Sequence, residues 1–299
     1  MSIASFPNIC SDGRRTNVRC QEPPDGETAY CPKCEEDRAF KKYEFAARRQ
    51  SWTCTACGHH IHPTAGTIFE KSSTSLQLWF YAMYLMTSTR CGISAKQLER
   101  ELGVKYKTAW RMFNKIRTHL MADDGEPLSG HVEADETLLG GRIRNDARRK
   151  REALGWSPKR WDTETKTMVF AAAERDGRVR ARVIPNSSGP TLRNIVRENI
   201  EPGSVLYTDE WGGYLTLADS YDHRTIRHRD RIYVDGTTHT QTVEGFFALS
   251  KNAIRGVHHG VSNRWLQGYL NEYAWRYNRR GHRNSMFRDL VETAATTTV

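Results

Sequence analysis

Three acidic side chains occupy positions where carboxylates could bind metal ions. Asp135 is predicted to lie in the middle of an otherwise apolar strand, Asp209 at the carboxyl end of a second strand, and Glu244 in the first turn of a helix. A buried charge in a sheet needs a compensating partner, and open α/β sheets place their ligands at the carboxyl ends of strands. Two strand carboxylates and one helix carboxylate are the hard oxygen ligands that a pair of Mg²⁺ ions requires. Such a pair can stabilise an in-line phosphoryl displacement, a chemistry that suits a nucleic-acid backbone.

The residue types and their spacing leave the choice of acids open. Asp209 and Glu244 could instead cap helices, and Asp135 could be a core acid in a salt bridge. The other acids that could complete the set or replace one of its members are Glu133, Glu136, Glu210, Asp235 and Glu272. The pattern therefore predicts a carboxylate site without fixing its membership.

Four cysteines form a second candidate metal site. The pairs Cys31-x-x-Cys34 and Cys54-x-x-Cys57 are separated by a stretch within the roughly 15–20 residues that are typical of structural zinc sites. Two such pairs supply a closed tetrahedral set of thiolates that leaves no position for a substrate. A redox-active pair would need no second pair and would lie in a βαβ setting, which is absent from the pattern. The sequence therefore predicts a structural Zn²⁺, with three histidines nearby as rival ligands: His59, His60 and His62.

Two helices joined by a tight turn are predicted between residues 94 and 120. Ser94 and Gln97 form a capping box, and Gly103 ends the first helix. The second helix has one apolar face and carries the basic residues expected to contact DNA, which are Lys105, Lys107, Arg111 and Lys115. This order is that of a helix-turn-helix, although any two-helix hairpin of a bundle gives a similar pattern.

The second half of the chain alternates strands with helices, which predicts an α/β sheet covered by helices. Strands are expected at 131–138, 167–173, 178–185, 204–208 and within 224–234, and helices at 191–200, 242–255 and 262–279. A polar linker at 123–127 predicts a domain boundary. The predicted organisation is an irregular lead-in (1–29), a zinc ribbon (30–70), a helical DNA-binding region (71–122), a catalytic domain (130–281) and a C-terminal tail (282–299), of which residues 293–299 are expected to fray.

Charge and composition favour a polyanionic partner. The chain of 299 residues has 45 Lys and Arg against 35 Asp and Glu, a net charge of +10, and its hydrophobic fraction of 38% is too high for a disordered chain. Two basic groups bracket the acids in sequence: one lies within 142–160, and the other comprises Arg224, Arg227, Arg229 and Arg231. Lys251 and Arg255 lie on the predicted helix of Glu244. The residues expected to contact the DNA backbone are Arg142, Arg144, Arg148, Arg149, Lys251 and Arg255. A run of charges is usually just solvated surface. We infer contact with the DNA backbone because these runs bracket the acids in sequence. We expect residues 142–161 to form a mobile loop that becomes ordered on DNA.

Neither a membrane span nor a secretory signal is visible in the sequence. The cysteine count of 7 is odd, and the paired spacing favours metal binding over disulfides. We therefore expect a cytoplasmic protein, associated with the nucleoid, and no membrane partner.

From Cys31 to Arg280 the chain resembles the ISXO-like group of insertion-sequence transposases, which carry a zinc ribbon before an Asp-Asp-Glu domain. The matching stretches are 31–34, 64–71, 102–112, 132–137 with Gly140-Gly141, 207–209 with Tyr214, 242–246 and 276–279. The family's catalytic acids fall on Asp135, Asp209 and Glu244, at a spacing that such domains favour. Lys105 stands where the family usually has Ser, and Gln241 where it often has Asn.

The resemblance implies an RNase H-like fold, catalytic Mg²⁺ (or Mn²⁺) held by the three acids, and DNA cleavage followed by strand transfer. The implied partners are the inverted-repeat ends of the element, target DNA and further copies of the chain in a synaptic complex. Two alternatives remain open at this point. One is a non-catalytic zinc-ribbon and helix-turn-helix DNA-binding regulator, and the other is an RNase H-like nuclease that cuts without joining.

Overall fold

The chain divides into two compact units in a computed structural model. The model describes residues 28–43, 51–62, 64–122, 125–139, 149, 152–155, 166–230, 232, 234–281 and 285–297. One unit comprises the residues up to Ser73 together with Thr293–Val299, and the other comprises Thr74–Glu292. The lead-in predicted at 1–29 lies almost entirely outside the described residues.

The first unit contains a small antiparallel sheet whose four strands are paired in chain order. The strands are β1 (Thr28–Cys31), β2 (Glu36–Lys42), β3 (Trp52–Cys54) and β4 (His60–Ile61). Phe40 and Trp52 are buried together with Cys31 and Cys54 in its core. Because so few apolar side chains are available, this core depends on the two cysteine pairs that border it.

The second unit begins with three helices whose ends match the sequence signals. They are α1 (Leu76–Ser88), α2 (Ala95–Leu102) and α3 (Tyr106–Lys115), and α3 continues into a wider π-helical turn at Ile116–Leu120. Ser94 Oγ accepts a hydrogen bond from the backbone N–H of Gln97 at 3.1 Å, which caps α2. Gly103 ends α2 with a left-handed φ of 63°. The predicted pair of helices with a short turn is therefore present.

A mixed five-stranded sheet forms the centre of the second unit. Its strands are β5 (His131–Leu139), β6 (Thr167–Glu174), β7 (Val179–Val183), β8 (Val205–Asp209) and β9 (Asp222–Ile226). The order across the sheet is β7-β6-β5-β8-β9. The first three strands are antiparallel neighbours, whereas β5, β8 and β9 are parallel. This arrangement confirms the predicted α/β class.

Helices cover both faces of this sheet because its strands alternate apolar residues between the faces. These helices are α4 (Gly189–Asn199), α5 (Gln241–Ala253) and α6 (Leu266–Asn278), and a further helix, α7 (Met286–Thr296), follows α6 in sequence. Val132 and Ala134 face the core that includes α4, whereas Ala171 and Ala173 face the core that includes α5 and α6. Short 3₁₀ turns at Gly212–Leu217 and His228–Asp230 follow β8 and β9. Within the described residues, no helix is long and apolar enough to cross a membrane.

The structure differs from the sequence prediction in three places. The strand expected within 224–234 is the earlier segment Asp222–Ile226. The segment expected to fray, 293–299, begins inside helix α7, because Leu290 and Ala294 lie four residues apart and are both buried. The chain divides at Ser73 and Thr74, and not at the polar linker near 123–127, where the sequence places a boundary.

A buried ion pair explains why the helical region belongs to the second unit. Arg117 lies in the π-helical turn after α3, and its Nε donates to Oε2 of Glu272 in α6 at 2.7 Å. The side chains of Arg117 and Glu272 are 1% and 0% exposed. The guanidinium carbon of Arg117 lies 3.5 Å from the centre of the Phe113 ring and 3.6 Å from the centre of the Tyr269 ring. Arg276 completes the network by donating to Glu272 Oε1 at 3.0 Å.

We predict that Glu272→Gln lowers the free energy of unfolding by about 3–5 kcal/mol at pH 7, because it leaves Arg117 buried without its anion. Burial acts to raise the pKa of Glu272, but Arg117 and Arg276 outweigh this and lower it. A lowered carboxyl pKa stabilises the fold above the unfolded value of about 4.3 and loses this contribution as the pH falls. The difference between the variant and the wild type in their free energies of unfolding, measured by urea denaturation, should therefore shrink in acid.

Glu292→Gln, which removes an exposed pair with Arg288, is the control and should cost less than about 1 kcal/mol. Equal losses in the two variants would contradict the prediction.

Candidate active site

Asp135 and Asp209 lie on adjacent parallel strands. The register pairs Glu133 of β5 with Tyr207 of β8, so the next residues that share this face of the two strands are Asp135 and Asp209. Val132 and Ala134 point into the core on the opposite face. The strand pairing therefore places two carboxylates side by side at the end of β8, as the alternation of residues in β5 predicts.

Helix α5 is fixed to β5 at two points on either side of Asp135. Near the start of the helix, the carboxylate of Glu133 accepts hydrogen bonds from the backbone N–H groups of Thr242 at 2.7 Å and Val243 at 3.2 Å. Further along, Lys251 Nζ donates to Thr137 Oγ1 at 2.7 Å. Glu133 thus acts as an N-cap supplied by the sheet, and this cap orients the helical turn that contains Glu244. The sequence reasoning missed this role because the partners are far apart in the chain.

The site concentrates negative charge. Burial and the charges of Asp209 and Glu244 raise the pKa of Asp135 to about 7. The backbone N–H of Glu136, at 2.7 Å from Asp135 Oδ1, and the ammonium of Lys251 oppose this rise only in part. Burial also raises the pKa of Asp209, although the backbone N–H of Trp211 donates to its Oδ1 at 3.0 Å. Carboxylates held together at such a cost are suited to binding a cation.

Glu244 is the most accessible of the three acids, with 51% of its side chain exposed. Thr240 Oγ1 donates to Glu244 Oε1 at 2.9 Å, and His228 Nε2 lies 3.7 Å from the same oxygen. Among the described residues, the carboxylate oxygens of these three acids lie less close to one another than the sulfur atoms of the four cysteines do. The site is therefore open on the side of Glu244.

The structure gives most of the rival acids other partners. Glu136 points to the opposite face of β5 and accepts a hydrogen bond from the Tyr214 hydroxyl. Burial and the neighbouring charges outweigh this bond and raise the pKa of Glu136 to about 8. Glu210 accepts hydrogen bonds from the backbone N–H groups of His228 at 2.7 Å and Arg229 at 2.8 Å. Glu133 caps α5 and Glu272 pairs with Arg117, whereas exposed Asp235 belongs to an isolated backbone bridge with Thr238.

The four cysteines are brought together in the first unit. The Sγ atoms of Cys31, Cys34, Cys54 and Cys57 all lie within 4.8 Å of one another. Cys31 Sγ is 3.5 Å from Cys57 Sγ, too far for a disulfide. Burial acts to raise the pKa of Cys31, but backbone N–H groups of Cys34 and Lys33 outweigh it and lower this pKa to about 7. A hydrogen bond with Cys57, burial and the other thiols raise the pKa of Cys34 to about 12.

Four thiols so close together cannot all ionise unless a cation neutralises them, so this donor set fits a tetrahedral Zn²⁺. The histidines that could compete as ligands lie outside the cluster. The ring of His60 instead forms a hydrogen bond between its Nδ1 and Thr53 Oγ1 at 2.9 Å.

The basic residues selected from the sequence differ in their surroundings. Lys105, which precedes α3, and Lys107 and Arg111 within it are exposed, whereas Lys115 is half-buried. Arg149 and Arg255 are exposed, and Lys251 is half-buried against Thr137 of β5. Three further predicted DNA contacts lie outside the described residues: Arg142, Arg144 and Arg148.

Comparison with known proteins identifies the family of this chain. Residues 127–278 match a family model described as the ISXO2-like transposase domain. A protein in the transposable element ISH50 of Halobacterium salinarum is 30% identical over 255 residues, which cover 83% of this chain and 84% of that protein. A transposase-like protein of Haemophilus influenzae is 28% identical over 97 residues, or 32% of this chain and 77% of that protein.

The family of the domain implies an RNase H-like fold, and the mixed β7-β6-β5-β8-β9 sheet agrees with it. The family also implies that the domain uses divalent metal ions and acts on DNA. Both the matched domain and the relative that aligns with most of the chain come from insertion-sequence elements. The protein therefore belongs to the ISXO2-like transposase family.

Proposed function

We propose that this protein binds the terminal inverted repeats of its element, cleaves the DNA there and joins the freed ends to target DNA. The observation that carries the proposal is the placement of the acids. The parallel register of β5 and β8 puts Asp135 beside Asp209, and Glu133 fixes the first turn of α5, from which Glu244 projects. Family membership supports the same reaction class.

Asp135, Asp209 and Glu244 would together hold two Mg²⁺ or Mn²⁺ ions. Bound there, the ions would stabilise the attacking and the leaving oxygens of an in-line phosphoryl displacement. Water first attacks the phosphorus at the element end and the 3′ oxygen leaves; that 3′-OH then attacks a target phosphodiester in the same geometry. Lys251, held against Thr137 near Asp135, would contribute a positive charge next to the reacting phosphate.

The remaining parts would bind and position DNA. Helices α2 and α3 would form a helix-turn-helix whose second helix reads the terminal repeat. The residues proposed to contact DNA are Lys105, Lys107, Arg111, Lys115, Arg142, Arg144, Arg148, Arg149, Lys251 and Arg255. A Zn²⁺ held by the four cysteines would stabilise the ribbon. Because two ends must be joined, the active form would contain at least two copies of the chain, acting in the cytoplasm on nucleoid DNA.

The catalytic role of the acids predicts that Asp135→Asn, Asp209→Asn and Glu244→Gln each abolish joining and spare end binding. Loss of metal stabilisation worth several kcal/mol corresponds to a fall of about 10³-fold or more. The assay incubates labelled end DNA, Mg²⁺ and a target plasmid with each protein, and a mobility shift measures end binding.

Asp222→Asn is the matched control for these substitutions, because Asp222 is exposed, begins β9 and pairs with Arg224. This variant should join ends as the wild type does. Unchanged joining in all three acid variants would refute the proposal. Cleavage without joining by the wild type would favour the nuclease alternative, and binding alone would favour the regulator.

The zinc proposal predicts that the purified protein carries about one zinc ion per chain and that Cys54→Ser loses it, because a tetrahedral site needs all four ligands. Metal analysis of the purified proteins measures the content. Cys91→Ser removes an exposed thiol outside the cluster and should leave the zinc content unchanged. Equal zinc in wild type and Cys54→Ser would refute this site.

The proposed role of α3 predicts that Arg111→Ala weakens end binding by about 1–3 kcal/mol if the side chain reads a base. If Arg111 instead contacts a phosphate, the slope of the logarithm of the binding constant against the logarithm of the salt concentration should become shallower by about one unit. Titrations at several salt concentrations distinguish the two cases. Arg288→Ala, which removes an exposed arginine of α7, is the control, and equal effects of the two substitutions would contradict the assignment.

A further inference from the structure

An exposed tryptophan lies next to the candidate metal site. Trp211 follows Asp209 by two residues, and its backbone N–H donates to Asp209 Oδ1 at 3.0 Å. About half of Trp211, 52%, is exposed. Single exposed apolar side chains are common and need no explanation by themselves. The inference therefore depends on how this ring is held and on what surrounds it.

The ring of Trp211 is fixed in place although it is exposed. Its Nε1–H donates to the backbone oxygen of Ser187 at 2.9 Å. A Cβ atom on Gly213 would lie 3.0 Å from Trp211 Nε1, 3.1 Å from Ser187 O and 2.7 Å from Leu192 Cδ1. The φ of Gly213 is not positive, so space and not backbone conformation requires glycine here. The missing side chain at Gly213 thus makes room for the bond that orients the indole.

Basic side chains lie on a turn that is tied to the same loop. Glu210, between Asp209 and Trp211, accepts hydrogen bonds from the backbone N–H groups of His228 and Arg229. Arg227 and Arg229 in this turn are exposed. A rigid aromatic ring together with nearby cations is the combination by which proteins hold unpaired nucleic-acid strands, since bases stack on the ring and phosphates pair with the cations.

We propose that Trp211 stacks on an unpaired nucleobase next to the phosphodiester that reacts at the acid site. The proposal rests on the function proposed above and adds to it a contact with a base displaced from the duplex. The indole is oriented before DNA binds, so little conformational freedom is lost on stacking. Arg227 and Arg229 are placed to contact the phosphates of the displaced strand.

The test uses the full-length protein and duplexes that carry the terminal repeat with its flanking DNA. Each duplex contains 5-iododeoxyuridine at one position near the cleavage point, and irradiation crosslinks a stacked aromatic side chain to that base. We expect a crosslink from one or two adjacent positions, mapped by mass spectrometry to the peptide that contains Trp211. This readout requires no cleavage and no joining.

Activity measurements complete the test. Trp211→Leu should reduce joining by about 5- to 150-fold, the range expected for losing one stacked base, while end binding is retained. Trp211→Phe should restore much of the joining because it keeps an aromatic face. Leu215→Ala is the control, since Leu215 is 75% exposed in the next turn, and it should join as the wild type does.

Two results would overturn the inference: crosslinks that map away from Trp211, or wild-type joining by Trp211→Leu. A wild-type protein that neither cleaves nor joins end DNA would overturn the proposed function instead. The crosslink would still decide whether the ring stacks on a base, so the two failures are distinguishable.

Discussion

The burial of neighbouring carboxylates is the constraint on which the candidate active site of this protein depends. Asp135 and Asp209 are side by side on parallel strands, and burial together with the charges of Asp209 and Glu244 raises the pKa of Asp135 to about 7. A fold does not gain stability from such an arrangement, so other interactions must maintain it. Two hydrogen bonds between α5 and β5 serve this purpose: one from the backbone N–H of Thr242 to Glu133, and one from Lys251 to Thr137. Divalent cations bound there would neutralise the carboxylates, and the relief of their mutual repulsion would contribute to the affinity of the site for the cations.

A second buried charge system connects the helical region with the rest of the second unit. Arg117 follows α3, and its ion pair with Glu272, which Arg276 also binds, fixes this segment to α6. Because α6 also packs against the sheet that carries the acids, the proposed recognition helix and the acids belong to one compact unit. Unlike the carboxylate site, the Arg117 network is fully paired, and we assign it a structural role.

The sequence predicted those features that depend on local pattern. Alternation in β5 placed Asp135 on the face opposite Val132 and Ala134, the Ser94 cap and Gly103 marked the ends of α2, and cysteine spacing indicated the cluster. Features that depend on distant partners were missed. Glu133 caps a helix more than 100 residues away, with a separation of 109 from Thr242, and Arg117 meets Glu272 at a separation of 155. Helix α7 was missed because its small polar residues conceal a short apolar stripe at Leu290 and Ala294.

The most direct measurement of the central claim is anomalous X-ray scattering from crystals of the protein bound to its end DNA and soaked with Mn²⁺. The account predicts two manganese peaks about 3.5–4 Å apart, with Asp135 and Asp209 as ligands of the first and Glu244 as a ligand of the second. Manganese peaks at other acids, or an acid site that stays empty while DNA occupies it, would contradict the account.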